Sequence, residues 1–378
     1  MADTAIGAPG MIPRGLAGVV VTDTEIGDVR GREGFYHYRQ YSATDLAERR
    51  TFEDVWALLI DGTLDPLADD VAPLRHIPAA VGKVLPDIAA AGDDPMSALR
   101  AALAVAGLEA GVRPLYDTDP PARRRDAILL CAQTPTLLAA LYRLQRGLEP
   151  VAPRDDLAHV ANYLYMVTGT EPAPEAARAV EQYMISTVDH GFNASTFTAR
   201  VIASTGADLF SCIGGALGAL SGPLHGGAPS RALDLLDAIG SADRADSYLR
   251  ERVLAGERIM GFGHAVYRTE DPRSRLLKGI ARSLGGDLVD LAVAVEQRVV
   301  DVLAELKPGR ELYANVEYYA GVVMHLCGLP REMFTPTFAA SRVVGWCANV
   351  LEQAVDSKII RPAARYVGPA APQPVPLR

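Results

Sequence analysis

Three histidines stand where the chain is rich in glycine, asparagine or proline. They are His190 in DHGFNAST (189–196), His225 in SGPLHGGAPSRAL (221–233) and His264 in ERIMGFGHAVYRTEDPRSRLL (257–277). A histidine pinned in such a turn suits proton transfer or hydrogen-bond donation to a substrate. Taken singly, each fits a local structural role as well. The third stretch carries more, because Arg252, Arg258, Arg268, Arg273 and Arg275 cluster around it and Gly261 and Gly263 flank Phe262. Those glycines permit positive φ or close approach of backbone to a ligand. Asp271 followed by Pro272 reads as an N-cap and first helical residue, which puts Arg273 in a helix's first turn. Helix N-termini favour anions, so a cation there is expected to face a bound anion. The chemistry suggested is recognition of a small anionic molecule beside one histidine; a solvated basic loop capped by Asp271 accounts for the same residues.

Three further residues belong with these. Glu317 lies between Val316 and Tyr318–Tyr319, an apolar setting that would raise a carboxylate's pKa. A partly exposed glutamate at a helix start is the plainer alternative. Arg342 sits among apolar neighbours in TPTFAASRVVGWCANVLEQ (335–353) and there requires an anionic partner. Arg361 precedes a proline-rich tail that should be extended.

The elements that must hold these residues are nearly all helical by apolar periodicity. Strand signals are confined to residues 15–42, where GVVVTDTEIGDVRG and FYHYRQY flank a glycine-containing turn. The fold class expected is therefore all-α with a small N-terminal β unit. Ser42 or Thr44 and Thr51 are candidate helix caps, and Gly62 a stop. Helices are expected over 76–91, 94–111, 123–147, 155–168, 174–188 and 197–220, and again after a cap at Asp287. The small-sided run GGALGALSG (214–222) reads as a helix–helix seam, within one chain or between subunits. Residues 1–14 read as a loose tail.

Composition bounds the rest. A chain of 378 residues with 49% hydrophobic content favours two domains with large interiors. A net charge of −9 argues against a uniformly basic nucleic-acid-binding fold. Cys131, Cys212, Cys327 and Cys347 form no C-x-x-C pair, which favours reduced thiols and a cytoplasmic location. No signal peptide is evident at the N-terminus, and no apolar run of membrane-spanning length, Leu209–Leu224 coming nearest. No histidine pair has i, i+4 spacing, so a metal site is not expected.

Together, DHGFNAST, GPLHGGAP, MGFGHAVYRTEDPR, NVEYYAG, the arginine of SRVVGW and RPAARYVGP resemble, in order and spacing, the motifs of the citrate synthase family. The resemblance runs from about residue 15 onward and is closest to the short bacterial type. It implies a helical dimer with active sites shared between subunits. A large domain (15–221 and 326–378) and a small one (222–325) would close over substrate. The reaction implied joins acetyl-CoA to oxaloacetate and then hydrolyses the thioester, with coenzyme A as co-substrate and no permanent cofactor or metal. The resemblance assigns His225 as donor to the enolate oxygen, Glu317 as base and His264 as the group that polarises the oxaloacetate carbonyl. Arg273, Arg342, His190, Asn193 and the partner's Arg361 would bind oxaloacetate; Arg258 and Arg268 would meet the coenzyme's phosphates. Glu317 departs from the family's usual Asp. Pro229 and Ser230 replace its Asn and Glu, and Ala265 stands where many bacterial members carry Arg. The alternatives are a 2-methylcitrate synthase using propionyl-CoA, and a weakly active paralogue that binds CoA or dicarboxylates.

Overall fold

The structure, a computed structural model, describes residues 12–223, 225–226, 229–264, 266–309, 312–356 and 358–376, without the side chains of 229–232. Most of the expected N-terminal tail lies outside these residues, as do Leu224, Gly227 and Ala228 of the second histidine motif and Ala265.

The β unit is a three-stranded antiparallel meander of β1 (Gly27–Arg30), β2 (Phe35–Tyr38) and β3 (Tyr41–Ser42). It is shorter than its sequence suggests. Val19, Val20 and Val21 are exposed and lie outside any described strand, because a β-branched run needs a neighbour to pair with. Tyr36 and Tyr38 lie on one face, as period-2 alternation requires, and both are buried. Their hydroxyls donate to the carbonyls of Ser186 (3.0 Å) and Ile185 (2.8 Å), and Tyr38 also reaches that of Asp189 (3.2 Å). The sheet is thereby fastened to the main helical body.

Helices follow in the order α1 (Ala43–Arg49), α2 (Phe52–Asp61), α3 (Ala79–Ala90), α4 (Pro95–Glu109), α5 (Pro120–Gln145), α6 (His159–Thr168), α7 (Pro174–Thr187), α8 (Ala194–Ala203), α9 (Leu209–Leu220), α10 (Pro229–Ile239), α11 (Ala242–Leu254), α12 (Pro272–Leu284), α13 (Asp287–Leu306), α14 (Val316–Leu326) and α15 (Phe334–Gln353). Ser42 caps α1, and Thr51 forms a reciprocal capping box with Asp54 on α2, which Gly62 ends in the left-handed region. The helix expected over 197–220 is two helices, because Gly206 turns at φ 80° and Asp208 recaps α9. Asp287 is the first residue of α13 rather than its cap, which is Gly286. α6 starts at His159, four residues later than expected.

α5 and α15 form the centre of the core, with almost every side chain from Ala127 to Leu141 buried on the first. By length and composition alone α5 could cross a membrane, although 78% of its most apolar window is buried inside the protein. It holds no unbroken apolar run of that length, because Gln133, Thr134 and Thr136 interrupt it. The arginines of its first turns serve the fold: Arg123 donates to the carbonyl of Ala354, and Arg124 pairs with Asp61 and Asp69.

On α15, Gly345 lets the helix lie against the chain that leaves α7. A methyl group there would stand 2.1 Å from the carbonyl oxygen of Val188. This approach sets Arg342 and Asn349 beside Asp189 and His190. α10 to α14 pack chiefly on one another and meet the remaining helices mainly through α1, α7 and α15.

Candidate active site

A cleft of about 1090 Å³ collects eight of the ten residues singled out in the sequence: His190, Asn193, His225, Arg258, His264, Arg273, Glu317 and Arg342. Arg268 is exposed and lines an adjoining hollow of about 480 Å³ that shares Gly263, His264 and Leu312 with the cleft. Arg361 is exposed on the extended C-terminal tail and is not among the cleft's walls.

Gly261 and Gly263, at φ 83° and 84°, shape the loop that carries His264. The loop is tied to the start of α14. The Gly263 N–H donates to the Tyr313 carbonyl (2.8 Å), Asn315 N–H to the Gly261 carbonyl (2.8 Å), and Asn315 Nδ2 to the Gly263 carbonyl (3.0 Å). Asn315 also caps α14 through the Glu317 N–H (3.0 Å), so one residue fixes His264 and Glu317 relative to each other.

His264 has a defined tautomer. The N–H groups of Val266 and Tyr267 both donate to Nδ1, at 3.0 and 3.1 Å, so the neutral ring carries its proton on Nε2. Burial, and then the charge of Arg273, lower its pKa to about 4. Nε2 lies 3.2 Å from Arg273 Nη2. With the proton on Nε2 both atoms are donors, and an acceptor oxygen lying within reach of both would satisfy the pair. His190 stands edge-on to His264 with ring centroids 5.6 Å apart, and its Nε2 is 2.9 Å from the Tyr267 hydroxyl. Burial, followed by Arg273, pushes the His190 pKa down as well.

The two buried arginines of the cleft differ. Arg273 is buried against Asp271, which caps α12 through the Arg273 N–H and accepts from Nε (3.0 Å) and Nη2 (2.8 Å). The cation in a helix's first turn therefore has an anion already, supplied by its own cap. Burial alone would raise the Asp271 carboxyl, yet the guanidinium beside it holds it low. Arg342 is equally buried, donates from Nε to the Thr187 carbonyl (2.7 Å), and lies over the Phe338 ring at 4.7 Å. It makes no ion pair within 4.0 Å among the described residues. Burial pulls its pKa down to about 10, against the opposing effect of Asp189. A buried guanidinium with no close ion pair, facing a cleft, is a site for an anion.

His225 Nε2 lies 2.8 Å from Ser195 Oγ. That hydroxyl also accepts from Trp346 Nε1 (3.2 Å) and sits 2.7 Å from Asn193 Oδ1. Asn193 is the N-cap of α8, its Oδ1 receiving the Thr196 N–H at 3.1 Å. Burial, and then Arg342, lower the His225 pKa to about 4, so this ring too is neutral at pH 7. Glu317 is half-buried in the cleft wall. Of its apolar sequence neighbours, Val316 shares the cleft wall while the two tyrosines do not line it. Successive helical side chains point about 100° apart, and Tyr318 and Tyr319 turn inward to bond the Ala292 carbonyl and Glu296.

Several residues escaped the sequence reading. Tyr267 and Ser195 orient His190 and His225, and only their places inside the histidine motifs hint at it. Asp189, buried and bonded by Asn349 Nδ2 (3.1 Å) and the Gly191 N–H (3.2 Å), lines the cleft; burial lifts its carboxyl to about 6. Lys307 joins Arg258 on the wall.

The family model for the citrate synthase C-terminal domain matches residues 15–363. Citrate synthase of Deinococcus radiodurans is 39% identical over 370 residues, spanning 94% of this chain and 96% of that protein. The crystal structure of citrate synthase from Thermotoga maritima superposes with a TM-score of 0.83 at 36% identity, covering 97% and 98% of the two chains. A ternary complex of carboxymethyl coenzyme A and oxaloacetate with citrate synthase from Thermoplasma acidophilum superposes at 0.87 and 28% identity, covering 97% and 98%. A family model that matches nearly the whole chain, and a relative 39% identical over most of its length, show that this chain belongs to the citrate synthase family.

Proposed function

We propose that this protein is a citrate synthase that condenses acetyl-CoA with oxaloacetate. The observation that carries the reading is Arg342, a buried guanidinium with no ion pair within 4.0 Å among the described residues, sharing the cleft with the donor pair of His264 and Arg273. A dicarboxylate with an adjacent carbonyl supplies what both lack. One carboxylate neutralises Arg342, and the carbonyl oxygen accepts from His264 Nε2. Arg273 and His190 complete the set, with Arg361 of a second subunit approaching from outside.

The acyl-CoA methyl is a very weak carbon acid. Removing its proton requires a base and, at the same moment, a donor to the enolate oxygen. Glu317 supplies the carboxylate. His225 is neutral and can donate without first being charged. Ser195 Oγ donates to Asn193 Oδ1 at 2.7 Å and lies 2.8 Å from His225 Nε2, to which it can turn its proton instead. When it turns to His225, the ring proton belongs on Nδ1, the nitrogen left to meet the enolate oxygen. The enolate carbon then attacks the polarised oxaloacetate carbonyl, and His264 protonates the new alkoxide. Hydrolysis of the resulting thioester releases citrate and coenzyme A.

Closure of 222–325 over the rest of the chain would exclude water from the enol. Arg258, with Lys307 nearby, and Arg268 stand at the two hollows beside His264, where the coenzyme's phosphates would be met. A homodimer with shared sites fits the exposed tail that carries Arg361. The four buried, unpaired thiols support a reducing, cytoplasmic setting. The relatives named above are citrate synthases, which favours acetyl-CoA over propionyl-CoA. Thiol release with oxaloacetate and either thioester tests the reading. A higher kcat/KM for acetyl-CoA is expected. A preference for propionyl-CoA, or no release with either, would overturn it.

A further inference from the structure

The tip of the β1–β2 hairpin grips the turn that holds His264. The Arg268 N–H donates to the Gly31 carbonyl at 3.0 Å. Gly31 is so close to this turn that a methyl group on it would lie 2.2 Å from the Val266 carbonyl oxygen and 2.9 Å from Val266 Cγ1. At the other end of the loop, a methyl on Gly34 would lie 3.0 Å from Thr269 Cγ2. The gripped residues are the ones that set the histidine: the N–H groups of Val266 and Tyr267 fix Nδ1 as the acceptor. The base of the hairpin is anchored elsewhere. Tyr36 and Tyr38 bond the carbonyls of Ser186, Ile185 and Asp189, at the end of α7 and next to His190. Val29 also touches the backbone beside His190, since a methyl on Gly191 would meet its Cγ2 at 3.1 Å.

We infer that this hairpin is a positioning element for the reaction. It holds the 266–268 turn at a fixed place relative to the His190 segment, and through that turn it sets the tautomer and direction of His264. Gly31 is its positioning residue, required because only a hydrogen side chain leaves room for the Val266 carbonyl. The element touches no substrate. It rests on the reading that His264 Nε2 addresses the oxaloacetate carbonyl, but its first readout does not depend on that reading.

Two variants test it. Gly31→Ala forces the tip off the turn. Replacing residues 31–34 by Asn-Gly keeps the Arg30↔Phe35 pairing and closes the hairpin with a two-residue turn, withdrawing the tip without a clash. The ¹⁵N spectrum of the free, histidine-labelled protein should show His264 as the Nε2–H tautomer in the wild type and as a mixture in both variants. The value of kcat/KM for oxaloacetate should fall by ~10–10²-fold, the usual effect of a misplacement near 1 Å, with the melting temperature of the shortened variant little changed. An unaltered tautomer in a folded shortened variant overturns the inference, whatever its activity. So does unfolding of both variants, which would make the hairpin a scaffold only. If the wild type lacks citrate synthase activity but the tautomer shifts as expected, the hairpin role stands and the proposed reaction falls.

Discussion

Arg342 and Arg273 look alike in the sequence, and the structure separates them. Arg273 is paired with Asp271, while Arg342 has no carboxylate within 4.0 Å among the described residues and feels Asp189 only at longer range. Arg342→Leu should therefore raise the KM for oxaloacetate by ~10–10²-fold, the worth of a hydrogen bond to a charged group, as steady-state kinetics would show. A second expectation concerns pH. His225 and His264 both titrate near 4, so neither should give a limb between pH 5 and 8. Asp189 does titrate there, near 6, because burial opposes its charge. As pH falls through 6 it gains a proton, the negative charge beside Arg342 disappears, and a dianion is held more strongly. The KM for oxaloacetate should fall on that side, and Asp189→Asn should abolish the change; a KM equally pH-dependent in that variant contradicts the assignment. The histidines, Arg342 and Glu317 were legible because unusual residues stood in unusual company. Asp189, Ser195 and Tyr267 were not, because a buried side chain's partner lies far along the chain.

Helix boundaries were legible at some caps, as at Thr51, Asp271 and Gly62. They were misread at Asn193 and Asp208, whose caps open α8 and α9, and at α6, which begins at Ala158–His159 with no side-chain cap. That start has its own liability. His159 is buried, stacks on Phe52 at 5.4 Å and has no hydrogen-bond partner for either ring nitrogen among the described residues. Burial, and then Arg75, depress its pKa to about 3. A histidine depressed in the fold contributes stability that is fully present above its unfolded pKa of ~6.5 and is lost as pH falls toward 3. His159→Phe keeps the stacking and removes this titration. Its melting temperature should exceed that of the wild type, by a margin that widens from pH 7 to pH 5. A margin that narrows over that range contradicts the account. Gly345→Ala should act oppositely, costing ~1–3 kcal/mol of stability by overpacking, since its methyl group meets the Val188 carbonyl.

The helical class and the small β unit were legible because hydrophobic periodicity is local. How distant motifs meet was not. Residues 190, 225, 264, 317 and 342 share one cleft because α7, α14 and α15 cross, and no local pattern encodes a crossing. The family motifs, taken together, supplied what periodicity lacked. Arg361 is exposed and apart from the cleft in the single chain, so the proposed sharing of sites between subunits rests on a test in solution. Chains carrying Arg361→Ala mixed with chains carrying His264→Ala should recover part of the wild-type rate through hybrid dimers. No recovery after verified subunit exchange would count against shared sites.

The central claim is that Glu317 removes a proton from acetyl-CoA held beside oxaloacetate. Its most direct test is single-turnover thiol release by the wild type and by Glu317→Gln, which keeps the shape and removes the base. The account predicts oxaloacetate-dependent release by the wild type, a rate lower by ~10²–10⁴-fold in the variant, and nearly unchanged oxaloacetate binding in both. A variant that releases thiol at close to the wild-type rate would contradict it.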